Sequence, residues 1–147
     1  MYIRKPPYGN KVEYVNLKKV AYVNQTKDDV VLNMCVSYGD SSGRIISCQH
    51  FLPKDYDDFF GSDYFIKNFV KIVGKDRTTF VNKNYVTSVI GEFANNPDDN
   101  KIIVLFANSV SKQSAIINAR LMQEYLYVRV GDIDLNSFVK SIVQSLD

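Results

Sequence analysis

The sequence predicts an α+β fold: two tandem strand-strand-strand-strand-helix repeats forming one pseudo-twofold domain, with antiparallel sheets packed against helices. Three observations lead there. Matching segments occur twice along the chain in the same order. Most apolar stretches are β-branched or alternate with polar residues, which is the strand pattern. Each half then closes on apolar residues at helical spacing. A length of 147 residues suits one domain spanning 1–147, with internal repeats of approximately 11–74 and 77–147.

The self-similarity comes first because it sets the reading of everything else. Glu13-Tyr-Val-Asn-Leu-Lys-Lys-Val-Ala-Tyr-Val23 aligns without a gap on Thr79-Phe-Val-Asn-Lys-Asn-Tyr-Val-Thr-Ser-Val89. Asp28-Asp-Val-Val-Leu32 resembles Asp98-Asp-Asn-Lys-Ile-Ile-Val-Leu105, and Phe69-Val-Lys-Ile-Val73 resembles Phe138-Val-Lys-Ser-Ile-Val143. The offsets are 66, 73 and 69 residues.

In the first copy, strands are expected over 12–16, 20–25, 30–38 and 44–52. The turn Gly39-Asp-Ser-Ser-Gly43 separates the last two, and Pro53 ends the fourth because it cannot donate to a ladder. Asp55 and Asp63 start a helix that carries Phe65, Ile66, Phe69, Val70, Ile72 and Val73, with Gly74 as its stop. In the second copy, strands are expected over 79–82, 86–93, 101–107 and about 120–130, with a loop at 95–100. Asp132 or Asp134 caps a helix bearing Ile133, Leu135, Phe138, Val139, Ile142, Val143 and Leu146. The stretch 109–118 reads as either loop or short helix. Each copy alone is a thin half-core, so the two are expected to face each other.

Composition excludes several classes. With 46% hydrophobic residues, ten Tyr and nine Phe, the chain has a globular rather than a disordered make-up. No apolar run approaches the ~20 residues that span a bilayer. The opening Met1-Tyr-Ile-Arg-Lys-Pro-Pro has no apolar signal core, so a cytoplasmic location is expected, in the host cytoplasm if the protein is viral. Cys35 and Cys48 flank the first-copy turn; thiols are expected there rather than a disulfide scaffold, and the register that decides their proximity stays open.

No catalytic constellation stands out. The one histidine, His50, shares a strand face with Cys48, but no nucleophile elbow or oxyanion loop accompanies them. Too few Cys and His occur, without paired spacing, for a zinc site. Asp55, Asp57 and Asp58 lack the central Gly of a calcium loop and suit a helix start. Phosphate-loop glycine patterns are absent. Glu92 and Glu124 are the remaining acidic pair to consider. A non-enzyme without cofactor or metal is expected.

Charge points to partners. Residues 1–27 carry a net +5, 28–63 a net −5, 64–91 a net +4 and 92–147 a net −2. The positive segments are the opening hairpin of each copy, together with the first helix. Lys18, Lys19, Arg77 and Lys83 are the expected phosphate-binding residues, with Tyr14, Tyr22 and Phe80 as stacking groups, on the pattern of single-stranded nucleic-acid binding. This order of elements, over most of the chain, resembles duplicated strand-rich, helix-ended nucleic-acid binders such as the PUR-repeat and Whirly proteins, although none of their motifs occurs. The resemblance implies single-stranded nucleic acid as the partner. Two alternatives stand beside it. One is a protein-interaction module, such as an inhibitor or a virion or phage accessory protein, that presents an acidic segment or an edge strand and forms a homo-oligomer or a complex. The other is a binder of a small anionic ligand between the repeats.

Overall fold

The structure, a computed structural model, describes residues 1–7, 9–39, 45–107, 109–110 and 123–147. It mixes antiparallel sheets with a few helices. A short hairpin pairs β1 (Tyr2–Arg4) with β2 (Tyr14–Asn16), and a 3-10 turn (Leu17–Lys19) leads into β3 (Val20–Gln25). β4 (Val30–Gly39) and β5 (Ile45–Leu52) follow, then two short helices, α1 (Asp57–Phe60) and α2 (Asp63–Asn68). The second half runs β6 (Phe69–Val73), β7 (Thr78–Asn82), β8 (Val86–Glu92), β9 (Lys101–Ala107), β10 (Ser109–Val110), β11 (Gln123–Arg129) and α3 (Leu135–Leu146).

β5, β4, β3, β7 and β6 lie side by side in that order, each antiparallel to its neighbour, and β10 pairs parallel with the far end of β4. A second antiparallel sheet has the order β11-β9-β8. Two cores result. One, containing Ile3, Val15, Leu17, Val20, Val23, Leu32 and Phe59, joins the β1–β2 hairpin and α1 to one face of the large sheet. The other, containing Tyr22, Ile72, Val81, Ile102, Val104, Phe106, Val128 and Leu135, holds the small sheet and α3 against the opposite face. A register shift between Val20 and Tyr22 lets β3 serve both, with Val20 and Val23 in one core and Ala21 and Tyr22 in the other. Each fully buried aliphatic side chain of this kind contributes about 1.5–3 kcal/mol relative to exposure.

α3 is amphipathic. Leu135 and Ile142 are buried, Asp134 caps its first turn by accepting from the Ser137 N–H at 3.2 Å, and the helix lies on β8 and β6. Gly91 permits that approach, since an added Cβ would sit 2.9 Å from Val139 Cγ2.

The helix expected through 65–73 is corrected. α2 stops at Asn68, and Phe69–Val73 pairs with β7 from Phe69 opposite Asn82 to Val73 opposite Thr78. The Asn68 carbonyl accepts from the Lys83 N–H at 2.9 Å, which ties the helix end to the β7–β8 corner. Val70, Ile72 and Val73 are β-branched and suit the ladder that follows. The resemblance of 69–73 to 138–143 therefore joins a strand to a helix.

β1 and β6 share a setting that the sequence comparison did not use. Tyr2, Ile3 and Arg4 lie opposite Asn16, Val15 and Tyr14, while Phe69, Val70 and Lys71 lie opposite Asn82, Val81 and Phe80. The Leu17 N–H donates to the Met1 carbonyl at 2.8 Å, the counterpart of Lys83 to Asn68. Asn16 Oδ1 accepts from the Lys18 N–H and Asn82 Oδ1 from the Asn84 N–H, both at 3.1 Å, so each Asn turns the chain into the next sheet. β3–β4 and β8–β9 are then antiparallel hairpins, with β5 and β11 as the antiparallel partners of β4 and β9.

The turn at 40–43, most of 109–118, residues 120–122 and Tyr8 lie outside the described residues. So do the side chains of Cys35 and Cys48. The backbone register pairs Asn33 with Gln49 and Ser37 with Ser47, which leaves residues 34–36 opposite position 48.

Candidate anion-binding cleft

The cleft begins with the turn between β6 and β7. The Gly74 N–H donates to the Arg77 carbonyl at 3.0 Å, closing the hairpin, and the Lys75 N–H donates to the Arg129 carbonyl at 2.8 Å, docking the turn on the end of β11. Only a residue without a side chain fits at position 74, because a Cβ there would meet Val128 Cγ1 at 2.6 Å and the Arg129 carbonyl oxygen at 3.0 Å. The Arg77 guanidinium donates to the Tyr127 carbonyl, which fixes its stem at the junction of the two sheets.

Around this junction, antiparallel order brings the ends of distant strands together. Arg129 at the end of β11 lies opposite Lys101 at the start of β9. Two adjoining concavities, ≈ 170 and ≈ 300 Å³, share Gly74, Asp76 and Arg77. Lys101, Tyr127 and Arg129 also line the smaller, with Val128; Lys27 from the β3–β4 turn, Lys54 after β5 and Lys75 also line the larger, with Gln25, Thr26 and Thr78. Among the described residues, six cationic side chains thus line the cleft against one lining carboxylate, Asp76.

Some of that charge is paired. Lys75 reaches Asp98 at 3.5 Å, Arg129 reaches Asp76 at 3.8 Å and Asp99 at 3.6 Å, and Lys101 reaches Glu92 at 3.7 Å. These are long, exposed contacts, worth at most about 1 kcal/mol each, and a competing anion exchanges with them at little cost. Among the described residues, no ion pair involves Lys27, Lys54 or Arg77. Tyr127 is half exposed, and the Lys101 ammonium stands 5.3 Å from its ring centroid.

The predicted site residues fall at two ends of the molecule. Lys18 and Lys19 occupy the turn after β2, and Lys83 the turn after β7. These corners do adjoin, since the Tyr85 hydroxyl donates to the Lys18 carbonyl and Asn82 Nδ2 donates to the Val20 carbonyl at 2.9 Å. Arg77 sits at the opposite end of β7, roughly 20 Å away at the usual strand rise. Of the predicted stacking groups, Tyr14 is exposed on β2. Tyr22 is buried and stacked on Phe106 at 5.1 Å, and Phe80 packs edge-on against Phe60 and Phe65, so both serve the cores.

Other candidates separate as well. His50 Nδ1 lies 3.2 Å from Glu13, which also takes Lys5 at 3.0 Å, a cross-strand charge cluster. The Lys5 ammonium holds the Glu13 carboxyl below its usual range, while burial and the nearby Lys5 charge lower His50 despite Glu13. Asp57 and Asp58 form the first turn of α1, where carboxylates suit the helix dipole. Glu92 pairs with Lys101 at one end of β9, and Glu124 lies opposite Phe106 near the other. Among the described residues, no group of three or more His, Cys, Asp or Glu side chains is placed to hold a metal, and no helix is long and apolar enough to cross a membrane.

Lys27, Lys54, Lys101, Tyr127 and Arg129 escaped the sequence reading. Lys54 lies in the segment of net −5, and Lys101 and Arg129 in that of net −2, so block charge hid them. The usable signal was position: the four cations fall at strand ends or turns, Tyr127 lies two residues before the end of β11, and the strand order decides which ends meet. Comparison with protein families, characterised proteins and solved structures finds no match for this chain.

Proposed function

We propose that this chain is a non-catalytic binding protein whose partner is single-stranded nucleic acid, held by its phosphates in the cleft around Arg77. The observation that carries the reading is the convergence of six cationic side chains on one cleft, three of them outside any ion pair among the described residues. Phosphates neutralise such charge, and the released counterions drive association. Lys18, Lys19 and Lys83 form a second basic corner at the far end of β7, along which a longer strand continues.

The same reading treats the molecule as two copies of one unit. The matched registers of β1–β2 and β6–β7, and the paired asparagine corners, support a unit that begins at β1 and again at β6, some residues earlier than the sequence repeat alone places it. The cleft then lies between the copies, with Lys27 and Lys54 from the first and the remaining cations from the second.

Fluorescence-anisotropy titration of a labelled single strand at 50 and 200 mM salt tests the proposal. Three to six phosphate contacts predict a log–log salt slope of about −2 to −4. Absence of binding at the lower salt overturns it. The ≈ 170 Å³ concavity favours a second reading, a small phosphorylated ligand between the copies. That reading predicts thermal stabilisation by a mononucleotide or pyrophosphate.

A further inference from the structure

We infer that Tyr127 is a base-stacking residue, which makes the cleft selective for nucleic acid with unpaired bases. The inference rests on the cleft being the phosphate site and adds what that site reads. Tyr127 lies on β11 between Leu126 and Val128, both buried, so strand alternation turns its ring out of the core. Half of the residue is exposed. Its backbone carbonyl accepts from Arg77, so the ring is anchored beside the residue assigned to the phosphate.

The surroundings of the ring separate it from the other exposed aromatics. Tyr127 lines a concavity with Arg77, Lys101 and Arg129, and the Lys101 ammonium already stands over its face. Phe51 is 63% exposed, but its concavity is formed by Pro6, Pro7, Pro53 and Lys5. Tyr2, Tyr14 and Phe93 are exposed and line neither concavity of the basic cleft. Among the described residues, Tyr127 is therefore the exposed aromatic that offers a π face within reach of cations that take a phosphate. A base has a π face whatever its sequence, so such a ring binds without sequence preference. In a duplex those faces are already stacked. The ring adds nothing to duplex affinity, and phosphate contact alone remains.

The test uses the full chain and three labelled DNAs of equal length: a single strand, the same strand without bases, and the duplex. The expected result is that the single strand binds about tenfold or more tightly than the abasic strand. Tyr127→Leu brings the single strand down to the abasic affinity with the salt slope unchanged, Tyr127→Phe retains the preference, and Phe51→Leu changes nothing. An unchanged thermal midpoint shows that Tyr127→Leu is folded. Equal affinity for the intact and abasic strands, with both lost in Arg77→Glu, overturns the stacking role and leaves the phosphate cleft standing. No binding to any of the three DNAs overturns both.

Discussion

Two clefts, one beside the end of β5 and the other beside the end of β11, have similar backbone surroundings and differ in chemistry. In the first half, Pro6 and Pro7 after β1 meet Phe51, Leu52 and Pro53 at the end of β5. In the second, Gly74 after β6 meets Tyr127, Val128 and Arg129 at the end of β11. The correspondence follows from register: Phe51 lies opposite Val31 on β4, and Tyr127 opposite Ile103 on β9, one residue after the first buried aliphatic of each strand. An exposed aromatic is kept at both places. Proline stands where the other cleft has Gly74 and Arg129. Lys5 is consumed by Glu13 at 3.0 Å, whereas Arg77 is in no ion pair among the described residues. The backbone scaffold is thus indifferent to chemistry, and the side chains at strand ends decide which cleft attracts an anion.

The largest expected effect comes from reversing charge in one cleft only. Arg77→Glu with Lys54→Glu should weaken binding of a single strand at least about a hundredfold at 50 mM salt, since two phosphate contacts become repulsions. Lys5→Glu, at the other cleft, should change it less than about threefold. Anisotropy titration of the two variants side by side measures the contrast, and equal losses would move the binding surface away from the β6–β7 turn.

Position 74 gives the next effect. Gly74→Ala forces a Cβ into Val128 Cγ1 at 2.6 Å and brings it 3.1 Å from the Arg77 carbonyl oxygen. It should cost about 1–3 kcal/mol in urea unfolding by overpacking and should also weaken binding, because the turn carries Arg77. Pro7→Ala, its counterpart, leaves the exposed loop intact and should stay within about 0.5 kcal/mol.

The corner asparagines sharpen the same contrast within the fold. Asn82 is fully buried and, besides its turn, donates to the Val20 carbonyl at 2.9 Å and the Tyr64 hydroxyl at 3.2 Å. Asn16 is part-exposed, and its side chain accepts from the Lys18 N–H. Asn82→Ala leaves a buried carbonyl short of a donor and should cost about 1–3 kcal/mol, whereas Asn16→Ala should cost about 1 kcal/mol or less. Chemical denaturation of both variants decides whether the two corners are energetically as unequal as their burial.

What the sequence revealed follows the same division between local and distant causes. β3 and β9 form with the expected bounds because β-branched, apolar residues settle a strand locally. α3 forms because helical spacing and the Asp134 cap agree. Residues 69–73 satisfy either period, and β7 decides between them from across a hairpin. Tyr2–Arg4 is too short to show a pattern and exists as a strand through β2. Lys18 and Lys83 stand in the two aligned segments of the sequence, and the corners that carry them adjoin in the structure. The six-cation cleft was not, since its members come from separate strand ends that only the sheet order unites. Tyr22 and Phe80 looked like platforms because they sit in basic segments, but burial follows the face of a strand and not the charge of its segment.

The smallest expected effect concerns pH and the charge cluster that occupies the first half. Both Glu13 and His50 have lowered pKa values in the fold, Glu13 chiefly through its bond to Lys5 and His50 chiefly through burial. A lowered pKa means that the unfolded chain binds the proton more readily, so stability is present above the unfolded value and is lost as pH falls through the folded one. For His50 the loss begins below about pH 6.5, and for Glu13 below about pH 4.5. The thermal midpoint should therefore fall modestly between pH 7 and 5. His50→Gln should flatten the upper part of that fall, because the glutamine has no proton to take up, while leaving the decline below pH 4.5 in place. Binding through Arg77 and Lys54 draws on neither group, so its affinity should stay level over the same interval while the protein remains folded. A parallel loss of affinity and midpoint in the wild type that His50→Gln abolishes would tie the two clefts together, and would extend the first half's part in binding from Lys27 and Lys54 to the charge cluster around His50.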